Sequence, residues 1–578
     1  MAAEIRHMKW WGWGHEDMAF DDSNKPGLWP YLENELKIKE IEWTRPVAFE
    51  DIDLPEHTTN EAFLGAIRGV LDEGQVADDK KTRLIHAAGK SFRDLWLLRH
   101  GIVKHAPDCV VFPESEEDVA AIVHAADEHG AVLIPFGGGS NIVGCLEPRD
   151  RDGRMVVSLD MCRMHQVLEV DQHSLTACIQ PGVYGQHLED QLAEHGVTLG
   201  HFPDSFLHST LGGWVATRSA GMQSDIYGKI EDMVISLRMV TPGGTIVTRT
   251  VPKSSNGIDV RHLCIGSEGI LGVITEIVVQ VHRKPLREDW HGWLFPDFES
   301  GVDAIHECQR QGCMPIVTRL NDPKKTALSF AFKQPKTGLK ETVAKALKWY
   351  IGSVKGIDFG RCCLMVVKYE GDRAAFRNMR RGVSAIYRKH RGVCLGPEPG
   401  RSFAEAKFDF PHMRDYVMDR SIMADVSETA TTWSNLLPLY EHSLANIDRA
   451  ICDTGVAPWV GCHISHSYPT GASLYFTFGC LQRAGREIEQ YLHIKKTAED
   501  AFMKNGGTLS HHHAIGTEHL PWVEEDISPT GLKAVQAVKE GLDPRDIMNP
   551  GKIIPPADPL KAWGLSGEAL KQFTGSGQ

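Results

Sequence analysis

Apolar positions between residues 107 and 285 alternate between two periods. Val119, Ile122, Val123 and Ala126 recur at helical spacing behind Ser115 and Asp118, and Gly130 closes the run. This predicts a capped amphipathic helix: a serine hydroxyl takes a free first-turn amide, and a glycine ends the last turn. The pattern then turns extended. Val132-Leu133-Ile134-Pro135-Phe136 predicts a strand that runs straight into Gly137-Gly138-Gly139-Ser140-Asn141. Short strands are predicted over 155–159, 166–170 and 174–179, a second helix over 185–195 stopping at Gly196, and a β-branched strand over 270–281. Beyond Lys284-Pro285 a second mixed module begins, with strands over 361–369 and 474–478 and a helix over 485–504. Residues 542–552 are turn-rich. The first 105 residues carry Trp and charge, with Lys9-Trp10-Trp11-Gly12-Trp13-Gly14 near the start, and read as a partly helical extension without legible chemistry. The whole is an α+β chain in four parts: an extension over 1–105, modules over 106–285 and 286–520, and a closing segment over 521–578.

Composition narrows the class. A chain of 578 residues exceeds one ordinary core, and 42% hydrophobic with 24% charged residues is a folded, globular balance. No stretch reaches about 18 uninterrupted apolar residues. Residues 1–4 lack a basic or apolar leader, and 575–578 form no targeting tripeptide. Thirteen Cys without C-x-x-C spacing fit a reduced chain, so a cytoplasmic location is expected. The net charge of −14 disfavours nucleic acid as a partner. One run opposes that sign: Arg373, Arg377, Arg381 and Arg388 share a helical face, with Arg380, Lys389 and Arg391 beside them. It reads either as a solvated face or as a peripheral contact with anionic lipid.

Three glycine-punctuated segments carry the cofactor chemistry. Residues without Cβ let successive backbone N–H groups converge on a pyrophosphate, which suits 137–141; alone, the triplet favours a tight turn. Pro203-Asp204-Ser205 leads to Ser209-Thr210-Leu211-Gly212-Gly213, and Glu268-Gly269-Ile270-Leu271-Gly272-Val273-Ile274 opens a strand. Their order and spacing resemble the FAD-binding domain of vanillyl-alcohol oxidase-type flavoproteins. The resemblance implies a PCMH-type FAD-binding domain over 106–285, a substrate (cap) domain over 286–520, and a closing segment that returns to the FAD domain. It implies cofactor contacts from Pro135, Phe136, Gly137, Gly138, Gly139, Ser140 and Asn141. The second segment adds Pro203, Asp204, Ser205, Ser209, Thr210, Gly212, Gly213, Ala216, Thr217, Arg218 and Ser219. The third adds Glu268, Gly269, Ile270, Leu271, Gly272, Val273 and Ile274. No His lies near 137–141, where some relatives tether the flavin, so non-covalent FAD is expected.

Ser510-His511-His512-His513-Ala514-Ile515-Gly516 follows Gly506-Gly507. As an extended strand it would put His511 and His513 on one face and His512 on the other. Imidazoles that titrate near pH ~6.5 can move protons, bind anions or ligate a metal. From Pro107 to Lys552, and in Met8-Lys9-Trp10 and Gly12-Trp13-Gly14, the chain resembles the alkyldihydroxyacetonephosphate synthase (alkylglycerone-phosphate synthase) family. The resemblance implies ether lipid synthesis: the acyl chain of acyl-dihydroxyacetone phosphate is exchanged for a long-chain fatty alcohol through a flavin N5 adduct, with no net redox change. It implies catalytic roles for Tyr475, His511, His512 and His513, with the Tyr475 phenol brought down from ~10 to act as a base. It gives Arg414 the substrate phosphate. By themselves Tyr475 reads as a strand aromatic and Arg414 as an ion-pair partner of Asp415. No metal is expected, and a homodimer is compatible with this reading.

Three departures bear on substrate. His463-Ile464-Ser465-His466 replaces an Arg-led segment, Ala514 replaces a glycine, and Lys253 replaces an arginine that braces the flavin loops. The main alternative is an FAD-dependent D-2-hydroxyacid dehydrogenase of the D-lactate or glycolate type, which shares Gly-Ser-Glu-Gly-x-Leu-Gly and Asn-Pro-Gly-Lys. Its metal site would place ligands where Tyr475 and His512 stand, so that site looks dismantled. A non-catalytic flavin- or lipid-binding protein is the second alternative.

Overall fold

The computed structural model describes residues 7–149, 152–333 and 338–563. Residues 1–4 and 575–578, on which the targeting expectations rest, lie outside that range, as does the tail of the closing segment.

Three large sheets organise the chain. In the first, Cys109–Val111, Val156–Asp160 and Val132–Phe136 run parallel, with Val76–Ala77 antiparallel at one edge. The predicted helix is Glu116–His129. Ser115 caps it by accepting from the Asp118 amide, and Gly130 ends it at φ 76°. The second sheet is antiparallel, in the order Val167–Asp171, Thr176–Ile179, Val273–Gln280, Val234–Thr241, Gly244–Val247. Its central strand starts three residues later than the sequence predicts. Gly269, at φ 78°, turns the chain first, and Ile270 and Leu271 are buried in the core beneath.

The third sheet holds seven antiparallel strands, ordered Val393–Gly396, Arg287–Phe295, Cys363–Gly371, Val317–Asn321, Trp459–Tyr468, Gly471–Leu481, Ile422–Thr432. Its register sets chemistry side by side. Tyr475 stands opposite Glu428 on one neighbouring strand and opposite His463 on the other.

The N-terminal extension is no appendage. Met8 and Trp13 are buried in the core of the third sheet, each worth about 1.5–3 kcal/mol of apolar burial. The Trp13 amide donates to Asp415 Oδ2 at 2.9 Å, and Lys9 Nζ lies 3.2 Å from the same oxygen. A Cβ on Gly12 would fall 2.1 Å from that oxygen, so only glycine lets the strap lie this close. The closing segment also returns: the Asn549 amide donates to Leu133 O, and its side chain donates to Glu268 O at 2.7 Å and Cys145 O at 3.1 Å. Among the described residues no helix is long and apolar enough to cross a membrane.

Candidate active site

A cavity of about 440 Å³ lies between the glycine loops and the third sheet. One wall is mostly backbone. Residues 135–141 line it, with Thr210, Gly213 and Gly269. Each glycine here permits a contact. A Cβ on Gly137 would meet Thr210 Oγ1 at 2.4 Å, and one on Gly138 would meet His208 O at 2.0 Å. Gly139 turns left-handed at φ 70°. The amides of Gly138, Gly139 and Ser140 donate no hydrogen bond to the rest of the described protein. Successive amides left undonated in a glycine loop that lines a cavity can serve as an anion nest. The loop therefore fits a dinucleotide pyrophosphate.

The facing wall is built from side chains. His511 to His513 do not form the predicted strand. Glu428, buried on the adjacent strand, accepts from the amides of His511 and His512 at 2.9 Å and of His513 at 3.1 Å, and from Ser510 Oγ at 2.9 Å. One carboxylate thus curls the loop around itself. His511 and His512 consequently do not diverge to opposite faces: their Nδ1 atoms lie 2.9 Å apart. Burial pushes the Glu428 carboxyl up, but His512, His513, His511 and the His512 amide outweigh it and hold it well below the usual range. Burial drives His512 down to about 4 and His511 and His513 well below their ordinary value. With their values lowered, the three imidazoles are uncharged at neutral pH.

Tyr475 packs between these groups. Its ring lies 4.8 Å from His463, 5.3 Å from His513 and 5.8 Å from His512, centroid to centroid. Burial, reinforced by Asp204, pushes its phenol up rather than down. The expected low-pKa base is therefore corrected, because this pocket disfavours a phenolate. Lys325 reaches across the Tyr475 ring, 5.2 Å from its centroid, and donates to His463 Nδ1 at 2.7 Å. Burial, with Arg319 nearby, draws the Lys325 amine down. Arg414 lines the cavity without pairing with Asp415. It donates to Asp425 Oδ1 at 2.7 Å and to Lys90 O at 2.6 Å, while Asp415 turns to the strap.

Of the predicted contacts, Pro203, Asp204, Ser205, Ser209, Gly212, Ala216, Thr217, Ser219, Glu268, Gly272, Val273 and Ile274 also line the cavity. Four residues do not. Arg218 points outward, donating to the carbonyls of Ile265 and His262, and so ties the second glycine loop to the third. Ile270 and Leu271 point into the core. His511 turns away, with Nε2 2.6 Å from the Tyr468 hydroxyl and its carbonyl accepting from Lys229 Nζ. It still brings a nitrogen within 4.8 Å of nitrogens on His466 and His512. Glu268 lines the cavity but is structural: its carboxylate accepts from the Ile515 and Gly516 amides, both at 2.7 Å, joining the flavin loop to the histidine loop. Lys253 is exposed on a surface loop.

Sequence reading missed Glu428, Lys325 and Arg319, which stand singly in ordinary strand or helix contexts. It also missed an apolar arm of the cavity, formed by Leu32 and Leu36 of the extension with Leu328, Phe332, Val417 and Trp459. The periodic leucines of Leu28–Leu36 were the only available signal.

Comparison with known proteins bears on the same two walls. The chain matches the FAD binding domain family over residues 107–250 and the FAD linked oxidases, C-terminal domain family over 285–553. It is 41% identical to an alkyldihydroxyacetonephosphate synthase of Dictyostelium discoideum, over 89% of this chain and 84% of that one. The chain belongs to the alkyldihydroxyacetonephosphate synthase family. A Trypanosoma brucei brucei synthase is 36% identical over 95% of this chain and 93% of its own length. A solved alkyldihydroxyacetonephosphate synthase structure superposes with a TM-score of 0.82 at 37% identity, covering 94% of this chain and 98% of that one. A mitochondrial D-lactate dehydrogenase of Arabidopsis thaliana is more distant, 28% identical over 78% of this chain and 74% of its own. Membership of the synthase family agrees with the α+β, PCMH-type fold and with FAD as the cofactor.

Proposed function

We propose that this chain is an FAD-dependent alkylglycerone-phosphate synthase, exchanging the acyl chain of acyl-dihydroxyacetone phosphate for a long-chain fatty alcohol. The observation that carries this reading is the single cavity that joins a flavin nest, a cationic and imidazole-lined wall, and an apolar arm. Arg414, held by Asp425 and Lys90, keeps guanidinium donors for a substrate phosphate, and Arg319 lines the same cavity. The arm from Leu32 to Trp459 suits an alkyl chain.

Bound flavin would supply an electrophilic ring for the carbon beside the ketone, so no electrons need leave the site. The chain's own residues handle protons. Tyr475 rests as a phenol, so its oxygen can take the proton beside the ketone only as its own proton passes on. The neutral imidazoles of His512 and His513 are the nearby acceptors, and the return path restores the resting state. Lys325 sets the charge beneath the Tyr475 ring. His511 acts by positioning the loop. We assign no metal to this wall: Glu428, the carboxylate nearest the histidines, gives its oxygens to backbone amides.

A cytoplasmic, reducing setting with peripheral contact to the lipid-bearing membrane completes the reading. It is supported by thirteen free cysteines and tested by cell fractionation. The test of function is incubation of purified holoprotein with acyl-dihydroxyacetone phosphate and hexadecanol, with no electron acceptor. Ether product and released fatty acid in equal amounts are expected. Fast dye reduction by D-lactate or glycolate without ether product would move the dehydrogenase alternative into first place.

A further inference from the structure

The helix Arg373–Lys389 carries five arginines and a lysine without one acidic residue, in a chain whose net charge is −14. It packs on the face of the seven-stranded sheet away from the flavin. Trp293 points to Tyr387 of this helix, whereas Trp290, of opposite parity, points to Phe403 at the flavin cavity. A groove of about 410 Å³ on that outer side is lined by Arg287, Arg373, Arg377, Arg380, Arg381 and Arg388, with Phe376 and Ser384. Among the described residues, none of these six arginines has a carboxylate within ion-pairing distance. Asp372, at the helix start, spends its side chain on the Ala374 and Ala375 amides. Asp289, on the strand below, lies 3.8 Å from Arg401.

Two of the guanidiniums are oriented by aromatic rings rather than by acids. Arg287 lies 5.3 Å above Phe376, and Arg388 lies 5.9 Å above Trp293. The pairs 373/377 and 377/381 repel one another along the helix. A concave set of oriented, uncompensated forks is chemistry for an anion with several oxygens and more than one charge.

We propose that this groove binds a multiply charged phosphate group, borne on a lipid headgroup or on a free polyphosphate. The two sources are separable with the intact holoprotein. One arm measures sedimentation with phosphatidylcholine vesicles containing phosphatidic acid; the other measures calorimetric binding of inorganic pyrophosphate. Binding in at least one arm is expected, weakening as salt rises. In Arg377→Gln/Arg381→Gln it should fall tenfold or more, since each basic residue contributes about fivefold at an anionic surface. Arg377→Lys/Arg381→Lys keeps charge but not the fork and should fall between the two. Flavin content, read on each variant, should not change, because none of these residues lines the flavin cavity. Vesicle binding alone assigns the lipid source, and pyrophosphate binding alone the free one. Absence of binding in both arms at low salt, or equal binding by parent and Gln variant, overturns the proposal.

Discussion

The two walls of the cavity are made by different physics. The flavin wall is local and uncharged: consecutive glycines expose their own amides, and their neighbours approach because no Cβ intervenes. The opposite wall is long-range and titratable: Glu428, Tyr475 and His463 meet through strand register, and the histidine loop takes its shape from a carboxylate more than eighty residues earlier. The first wall therefore depends on space. The second depends on charge and on protons.

The comparison breaks most visibly at Gly138. An added methyl in Gly138→Ala would sit 2.0 Å from the His208 carbonyl, so the loop must shift and the nest must open. The purified variant should lose at least tenfold in bound flavin, read from the visible absorbance relative to protein. Full flavin content would mean that the nest does not hold the pyrophosphate. Glu428→Gln probes the other wall. It keeps the volume but removes the charge that gathers the three amides, so turnover should drop by roughly 10- to 100-fold, the range of charge-assisted hydrogen bonds worth about 1.5–3 kcal/mol. Flavin should stay bound, because Glu268 anchors residues 515 and 516 independently.

These outcomes also mark what sequence could tell. Capped helices, the triglycine turn and the central strands were legible because their signals lie within a few residues of each other. Arg218, Ile270 and Leu271 were misplaced because a contiguous motif does not say which side chains face inward; alternate ones turned to the core or to solvent. The histidine strand was misread because nothing near 510–516 announces Glu428. Lys325 and the leucines of the extension were invisible as site residues because only tertiary packing brings them to the cavity.

Acid should sharpen the contrast more gently. Burial sets His512 at about 4, below the usual ~6.5. A lowered value means that the neutral, proton-accepting ring persists as pH falls and is lost only near that lower point. Difference NMR of labelled histidines, parent against His512→Asn, should show a resonance that does not titrate between pH 7 and about 5. A midpoint near 6.5 would remove the neutral relay. The smallest effect is expected at Ala514, a non-glycine residue that adopts φ 75°. Ala514→Gly should relieve left-handed strain and stabilise the fold by roughly 1 kcal/mol, measured as a shift in denaturation midpoint.

The central claim is that Tyr475 moves the proton while the flavin wall only binds. Tyr475→Phe removes one hydroxyl and keeps the ring that packs among His463, His512 and His513. Its flavin spectrum and content should match the parent, while single-turnover exchange of acyl for alkyl chain should slow by roughly 10²-fold or more, the usual worth of a positioned acid–base group. A Tyr475→Phe protein with full flavin and near-parental exchange would contradict the account and pass the proton to the histidines or Lys325 alone.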